Sequence, residues 1–202
     1  MRPTRPTRPT RMPALGLVLA LVLLATSAQA ESVYGRGDPA AYLALSGMVT
    51  YDDIEDLKFW EYGSSDSKVH YGLTGRAGFR LGAPLAIEIQ GDWNDANAWR
   101  DDDNWIMTAN FRVYPVQYFM DTEDYDVLQP YGVAGAGVLG GDPQGDKYQL
   151  NGAFRVGVGL DFYVTEQVAL SAGYEWVTGT GYWSHRDSRN FIFGVQYNFG
   201  AE

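Results

Sequence analysis

At 202 residues, with 25 acidic and 15 basic side chains, the chain has the length of one ordinary domain and a net charge of −10, which argues against a nucleic-acid binder because such a protein needs a basic face. With 20% charged and 46% hydrophobic residues, including 6 Trp, 14 Tyr and 9 Phe, it is not a disordered polyelectrolyte. The absence of cysteine removes disulfide frameworks, thiolate zinc sites and cysteine nucleophiles together.

Residues 1–30 read as a secretory signal. Arg2, Arg5, Arg8 and Arg11 form a basic start, Ala14 to Ala25 is an uninterrupted apolar stretch, and Ala28-Gln29-Ala30 is a small-x-small cleavage pattern ahead of Glu31. An apolar run of about a dozen residues is too short for a bilayer-spanning helix, which needs roughly 20. The leading Arg-Pro-Thr triplets are low-complexity, and Met12 is an alternative start. Cleavage removes four arginines and no acid, leaving 11 basic against 25 acidic groups, a net of −14. A short segment, 31–39, then leads into a single domain over 40–202.

Eight stretches of that domain alternate with a period of two, the mark of strands with one apolar and one polar face. The first, Tyr42–Tyr51, sets Leu43, Leu45, Val49 and Tyr51 against Tyr42, Ser46 and Thr50. Lys68–Leu81 opposes Val69, Tyr71, Leu73, Phe79 and Leu81 to Lys68, His70, Thr74, Arg76 and Arg80. Leu85–Trp93 opposes Ile87, Ile89 and Trp93 to Glu88, Gln90 and Asp92, and Trp105–Val113 opposes Met107 and Phe111 to Thr108, Asn110 and Arg112. Tyr131–Leu139, built on Gly and Ala, shows the weakest pattern. Leu150–Phe162 opposes Phe154, Val156, Val158 and Leu160 to Asn151, Arg155 and Asp161. Val168–Trp176 opposes Leu170 and Tyr174 to Ser171 and Glu175, and Phe191–Phe199 opposes Phe193, Val195 and Tyr197 to Gln196 and Asn198.

The polar face identifies the environment. A water-facing strand surface is a varied mix rich in Lys, Glu and Thr, whereas this one combines small residues (Gly72, Gly78, Ala86, Ala134, Gly157, Gly159, Gly173, Gly194) with charges of both signs. The basic members are Lys68, Arg76, Arg80, Arg112 and Arg155; the acidic ones are Glu88, Asp92, Asp161 and Glu175. Balanced ions spaced by glycines suit the cramped interior of a small barrel, where each charge needs a partner. Arg76, Glu88, Arg112, Arg155, Asp161 and Glu175 are the expected lumen ion pairs. The apolar face then meets lipid, where a sheet has to close on itself. Aromatics near the strand ends form two expected interfacial girdles, Tyr51, Trp93, Trp105 and Trp176 on one side and Phe79, Tyr131, Phe162 and Phe199 on the other. Connections also alternate, with long ones at 52–67, 94–104, 140–149 and 177–189 and short ones at 82–84 and 164–167, although 114–130 is longer. Long loops on one rim and short turns on the other are characteristic of outer-membrane barrels.

Pro130-Tyr131 leading to Gly135-Ala136-Gly137, the run Gly157-Val158-Gly159-Leu160-Asp161-Phe162-Tyr163-Val164-Thr165, and Gly194-Val195-Gln196-Tyr197-Asn198-Phe199 together resemble the small eight-stranded outer-membrane barrels, the porin-like or opacity-type family related to OmpA and OmpX. The resemblance covers residues 38 to 199. It implies an all-β, antiparallel, up-and-down transmembrane β-barrel in the Gram-negative cell outer membrane. It further implies insertion from the periplasm with the help of periplasmic chaperones and the barrel-assembly machinery, lipopolysaccharide and other outer-membrane lipid as surroundings, and a monomeric state. Family members usually end on an aromatic, whereas Gly200-Ala201-Glu202 follow Phe199 here. No periplasmic domain follows, so a peptidoglycan tether is not expected.

Other motifs reduce to plain readings. Gly135 to Gly140 satisfies G-x-G-x-x-G, but Gly141-Asp142-Pro143-Gln144-Gly145-Asp146 cannot open the helix a pyrophosphate needs, and Asp146 stands where a phosphate loop has lysine. Ser184-His185-Arg186-Asp187-Ser188 holds the residue types of a hydrolase triad, yet neighbours that close cannot generally make its successive hydrogen bonds. His70 reads as a hydrogen-bonded lumen residue. Acids gather in the outer loops, at Asp52, Asp53, Glu55, Asp56 and Glu61 and at Asp95 and Asp101 to Asp103. Carboxylates bind hard divalent cations and so could bridge to the anionic lipid surface, but without EF-hand spacing these loops read as solvated. Trp60, Tyr62, Trp99, Tyr182 and Trp183 are candidate partner-gripping or loop-packing aromatics. The expected role is structural or surface-interacting, with no catalytic set, metal or cofactor. The alternatives are a narrow channel or lateral route for small apolar solutes, a lipid-modifying enzyme, and an exported soluble barrel.

Overall fold

The computed structural model describes residues 40–54, 68–82, 84–95, 104–115, 127–141, 149–165, 167–181 and 186–199. These residues form eight strands: β1 (Ala40–Ile54), β2 (Lys68–Gly82), β3 (Leu85–Asp95), β4 (Asn104–Val113), β5 (Leu128–Gly141), β6 (Gln149–Tyr163), β7 (Val168–Gly179) and β8 (Arg186–Asn198). Each pairs antiparallel with its sequence neighbours, and β1 also pairs with β8, which closes the barrel without a free edge. Backbone bonds seal the rim that carries both ends of the barrel: Phe199 N donates to Ala41 O at 2.9 Å and Tyr163 N to Val127 O at 2.8 Å. Among the described residues no helix is long and apolar enough to cross a membrane.

Alternation sorts the two faces as the period of two requires. Arg76, Glu88, Gln90, Asp92, Asn110, Arg112, Arg155, Asp161, Ser171, Glu175, Asn190 and Gln196 point inward and are buried. Leu45, Leu73, Phe111, Phe154, Val158, Phe193 and Val195 point outward, Phe193 being 62% exposed. A water-soluble domain buries its apolar side chains and shows its ions. Here the order is inverted over the whole circumference, and only a hydrocarbon surrounding stabilises that arrangement.

Two interior glycines explain how large side chains fit inside. A Cβ on Gly78 would lie 2.3 Å from Tyr42 Cζ, and a Cβ on Gly159 would lie 2.3 Å from Tyr131 Cζ. Each tyrosine ring therefore lies flat on bare backbone of a neighbouring strand, which fills the lumen without pushing the walls apart.

The structure corrects the sequence reading in three places. Ala134, grouped above with the interior small residues, points outward, because in β5 the odd positions Gln129, Tyr131, Val133 and Leu139 face in. A strand made of Gly and Ala carries no contrast between its faces, so its phase is set by pairing with β4 and β6. The strands are also longer than their apolar stretches: β8 starts at Arg186 and β1 runs to Ile54, so Asp52, Asp53, Asp95 and the segment 186–189 belong to strands instead of loops. The rim connections are consequently 55–67, 96–103, 142–148 and 180–185 on one side and 83–84, 114–127 and 164–167 on the other, and the contrast between rims is weaker than expected. Strand pairing continues past the end of the apolar pattern because backbone bonds need no greasy side chain. The signal at 1–30, the segment 31–39, the loop residues Glu55, Asp56, Trp60, Glu61, Tyr62, Trp99, Asp101 to Asp103, Tyr182, Trp183, Ser184 and His185, and the terminal Gly200 to Glu202 lie outside the described residues.

Candidate functional site

The lumen holds two layers of paired ions. In the layer toward the chain ends, Arg112 on β4 reaches Glu88 Oε2 on β3 at 3.1 Å and Asp161 Oδ2 on β6 at 3.2 Å, all three side chains fully buried. Tyr42 OH donates to Glu88 Oε2 at 2.6 Å, Asn110 Nδ2 to Glu88 Oε1 at 3.2 Å, Tyr114 OH to Asp161 Oδ2 at 3.2 Å and Ser171 Oγ to Asp161 Oδ1 at 2.7 Å. Both carboxylates thus have hydrogen-bond donors besides the guanidinium, the condition under which a buried pair is tolerated. The Arg112 guanidinium also lies 3.9 Å from the centre of the Tyr131 ring, and Arg80 lies 4.5 Å from that of Tyr114, both within cation–π range. Arg76 donates to Ser171 Oγ at 2.9 Å, which links it to Asp161 through the serine. Arg80 donates to Gln129 Oε1 at 3.1 Å and to the Tyr163 hydroxyl.

In the layer nearer the other rim, Arg155 on β6 bridges Asp92 on β3 and Glu175 on β7. Gln90 donates to Glu175 Oε2 at 2.9 Å and to Asp92 Oδ1 at 3.1 Å. Above it Thr50 donates to Asn190 Oδ1 at 2.8 Å, and Asn94, Asn104 and His70 are buried beside it. Among the residues whose side chains are described, Arg76, Arg80, Arg112 and Arg155 face Glu88, Asp92, Asp161 and Glu175, four charges of each sign. The split is uneven. The first layer has three cations to two anions, and the second has one cation to two anions.

The outer wall places the girdle residues as follows. Trp93 and Trp105 are directly opposed across β3 and β4. Tyr51 on β1 and Trp176 on β7 both stand opposite Arg189 of β8. The Tyr51 ring meets Phe191 edge-on at 5.9 Å, and Phe191 meets Tyr174 at 5.0 Å. At the other rim Phe162 is exposed, Phe79 lies opposite Ala41 and Ile87, and Phe199 packs against Tyr197 at 5.0 Å. Tyr131 is not a girdle residue. At 3% exposure it sits inside, under Arg112 and beside Tyr114 at 6.1 Å, because the inverted phase of β5 turns it onto Gly159. Tyr42, Tyr114, Tyr163 and Ser171 were not singled out from sequence although they complete the network. An aromatic on the glycine-bearing face of a strand pair is the signal that points to Tyr42 and Tyr131.

Asp187 and Ser188 of the triad-like run lie on adjacent positions of β8 and so on opposite sides of the wall, Ser188 buried within and Asp187 half-buried without. Among the described residues no group of His, Cys, Asp or Glu is arranged to hold a metal ion.

Solved structures share this architecture. Neisserial surface protein A (NspA) is 18% identical, with a TM-score of 0.62, over 80% of this chain and 99% of that one. OprG from Pseudomonas aeruginosa is 16% identical, with a TM-score of 0.53, over 84% of this chain and all of the other. Ail, the attachment invasion locus protein of Yersinia pestis, is 14% identical, with a TM-score of 0.52, over 80% and 99%. A comparison with curated proteins found no match. The outer membrane protein beta-barrel domain family matches residues 16–199, which takes in every strand of the closed barrel, and the chain belongs to that family.

Proposed function

We propose that this outer-membrane barrel acts as a structural and surface-interacting protein whose lumen is plugged by paired ions, and that it does not conduct. The observation that carries the reading is the pair of arginine bridges. Arg112 ties β3 to β4 and β6, Arg155 ties β6 to β3 and β7, and each spans the interior with no exposed side-chain surface. Eight strands leave an interior that side chains fill, so these two cross-struts occupy the path a solute would take. One neighbour is named a surface protein and another an attachment invasion locus protein; the names describe those proteins, and the likeness to them is one of fold. In this reading the chain is exported with loss of its signal and inserted by the assembly machinery and periplasmic chaperones. It stands as a monomer among lipopolysaccharide, with connections 55–67, 96–103, 142–148 and 180–185 outside, and it catalyses no reaction.

Planar-bilayer recording tests the plug. The wild type gives no discrete conductance steps, and Glu88→Ala, which unties one carboxylate from Arg112, gives brief openings. Steady unitary conductance from the wild type would overturn the sealed-lumen reading in favour of a narrow channel.

A further inference from the structure

The mouth of the lumen at the chain-end rim carries a cation that its own layer does not balance. Arg112 takes up both Glu88 and Asp161, and Arg76 reaches Asp161 through Ser171, so the carboxylates of that layer are already engaged. Asp92 and Glu175 belong to the other layer, where Arg155 holds them. Arg80 is the last inward side chain of β2 before the turn, opposite Ala40 of β1 and Ala86 of β3, and among the described residues it forms no ion pair. Both of its hydrogen bonds, to Gln129 Oε1 at 3.1 Å and to the Tyr163 hydroxyl, are given by Nη2 to neutral acceptors. Its Nε is buried with no hydrogen-bond partner, and Nη1 donates to nothing among the described residues. The guanidinium lies 4.5 Å from the centre of the Tyr114 ring and 5.7 Å from that of Tyr163, contacts that hold it in position without using its N–H groups. Arg112 and Arg155 are sealed in, whereas Arg80 is only half-buried and is reached from the rim. A cation drawn partly out of water with donors unspent is stabilised by an anion, and a planar guanidinium matches a carboxylate with paired N–H bonds.

We infer that the Arg80 guanidinium, set between Tyr114 and Tyr163, is a binding site for a small carboxylate that enters the lumen from the chain-end rim. With three cations to two anions, the layer takes up one negative charge; a doubly charged anion overshoots that excess in the neighbourhood of Asp161 and Glu88. The ligand stops short of the Arg112 bridge and does not traverse the barrel, so the site goes beyond the plugged-lumen reading and leaves it intact. If the chain-end rim faces the periplasm, the carboxylate arrives from there, but the chemistry of the site does not depend on that orientation.

The test uses the mature protein with isotopically labelled arginine, refolded into phosphatidylcholine nanodiscs that leave both rims open to solvent. Sodium acetate, sodium phosphate and sodium chloride are titrated separately at constant ionic strength, and the arginine Nε–H signals are followed by NMR, that of Arg80 being assigned by its loss in Arg80→Gln. The Arg80 signal moves and saturates with acetate while that of Arg155 stays still; chloride leaves both in place, and phosphate saturates the shift only at higher concentration. Gln129→Glu sets a carboxylate of the chain's own beside Arg80, so its signal is displaced before acetate is added and half-saturation needs about tenfold more acetate. A shift in the wild type that never saturates, or that chloride reproduces, would overturn the inference. Saturation by phosphate at the same or lower concentration would overturn the choice of carboxylate, and unchanged acetate half-saturation in folded Gln129→Glu would overturn the placement at Arg80. Heat-modifiable gel mobility confirms folding in each sample, so these outcomes are read on an intact barrel and are separate from any failure of the membrane reading.

Discussion

Replacing Arg112 by methionine tests whether the barrel is held from within. The side chain reaches Glu88 and Asp161 at 3.1 and 3.2 Å with all three groups fully buried, and stacks 3.9 Å over Tyr131. Methionine keeps much of the volume and removes the charge. Breaking one partner of a buried pair costs about 3–5 kcal/mol, because the remaining ion is left uncompensated, and the lost stacking adds on the order of 1 kcal/mol. Arg76 stays nearby, linked to Asp161 through Ser171, and offsets part of this, so the expected loss is about 3 kcal/mol by the same principle. Urea unfolding in vesicles, followed by tryptophan fluorescence and heat-modifiable mobility, reads it as a lower midpoint with an unchanged slope. Adding Glu88→Gln to Arg112→Met removes one of the stranded anions and returns about half of the loss. A single variant within about 1 kcal/mol of wild type, with no recovery in the double variant, would mean that the lumen ions tolerate separation and that the network does not hold the walls together.

The remaining expectations concern the two faces of the wall. Gly159→Ala, whose new methyl would meet the Tyr131 ring, lowers unfolding stability by about 1–3 kcal/mol, whereas Gly75→Ala, with nothing within 4 Å of its Cβ, leaves it unchanged or raises it by up to about 1 kcal/mol; equal effects would break the link between interior glycines and tyrosine seating. Phe193→Arg places a charge in the lipid-facing belt and costs about 2–4 kcal/mol in vesicles, and a neutral outcome by the same urea assay would deny that this face meets hydrocarbon. Bilayer recording of wild type and Glu88→Ala tests the plug.

The sequence made the fold legible because β2, β3, β4 and β6 each carry strong contrast between faces: Arg80 between Phe79 and Leu81, Glu88 between Ile87 and Ile89, Arg112 beside Phe111 and Arg155 beside Phe154. A period of two then fixes which side each residue takes. It failed at β5, where Gly132, Ala134, Gly135, Ala136 and Gly137 look alike in both phases, and the phase was decided by pairing with β4 and β6. Tyr131 was misplaced for that reason. Interior charge was readable as a set, but the partners were not, since Arg112 joins Glu88 and Asp161 across a space whose width depends on strand stagger. Nor did apolar patterning reveal that β8 continues to Arg186, because that extension is held by backbone bonds to β1, down to Ile54 opposite Arg186.

The alternation that gives the closed ring its oily exterior leaves the open polymer unremarkable, with a mean hydropathy of −0.25. No stretch of the described strands is greasy in one dimension; lipid solubility arises only when the eighth segment zips onto the first and divides odd from even neighbours around a closed wall. A partly built sheet would carry Arg112 and Asp92 into hydrocarbon before Asp161 and Arg155, their partners on later, non-adjacent strands, arrived, at a cost of several kcal/mol for each. Insertion and closure therefore have to proceed as one event. A lesion at the β1–β8 seam should strand the whole polypeptide outside the bilayer instead of leaving a half-embedded intermediate.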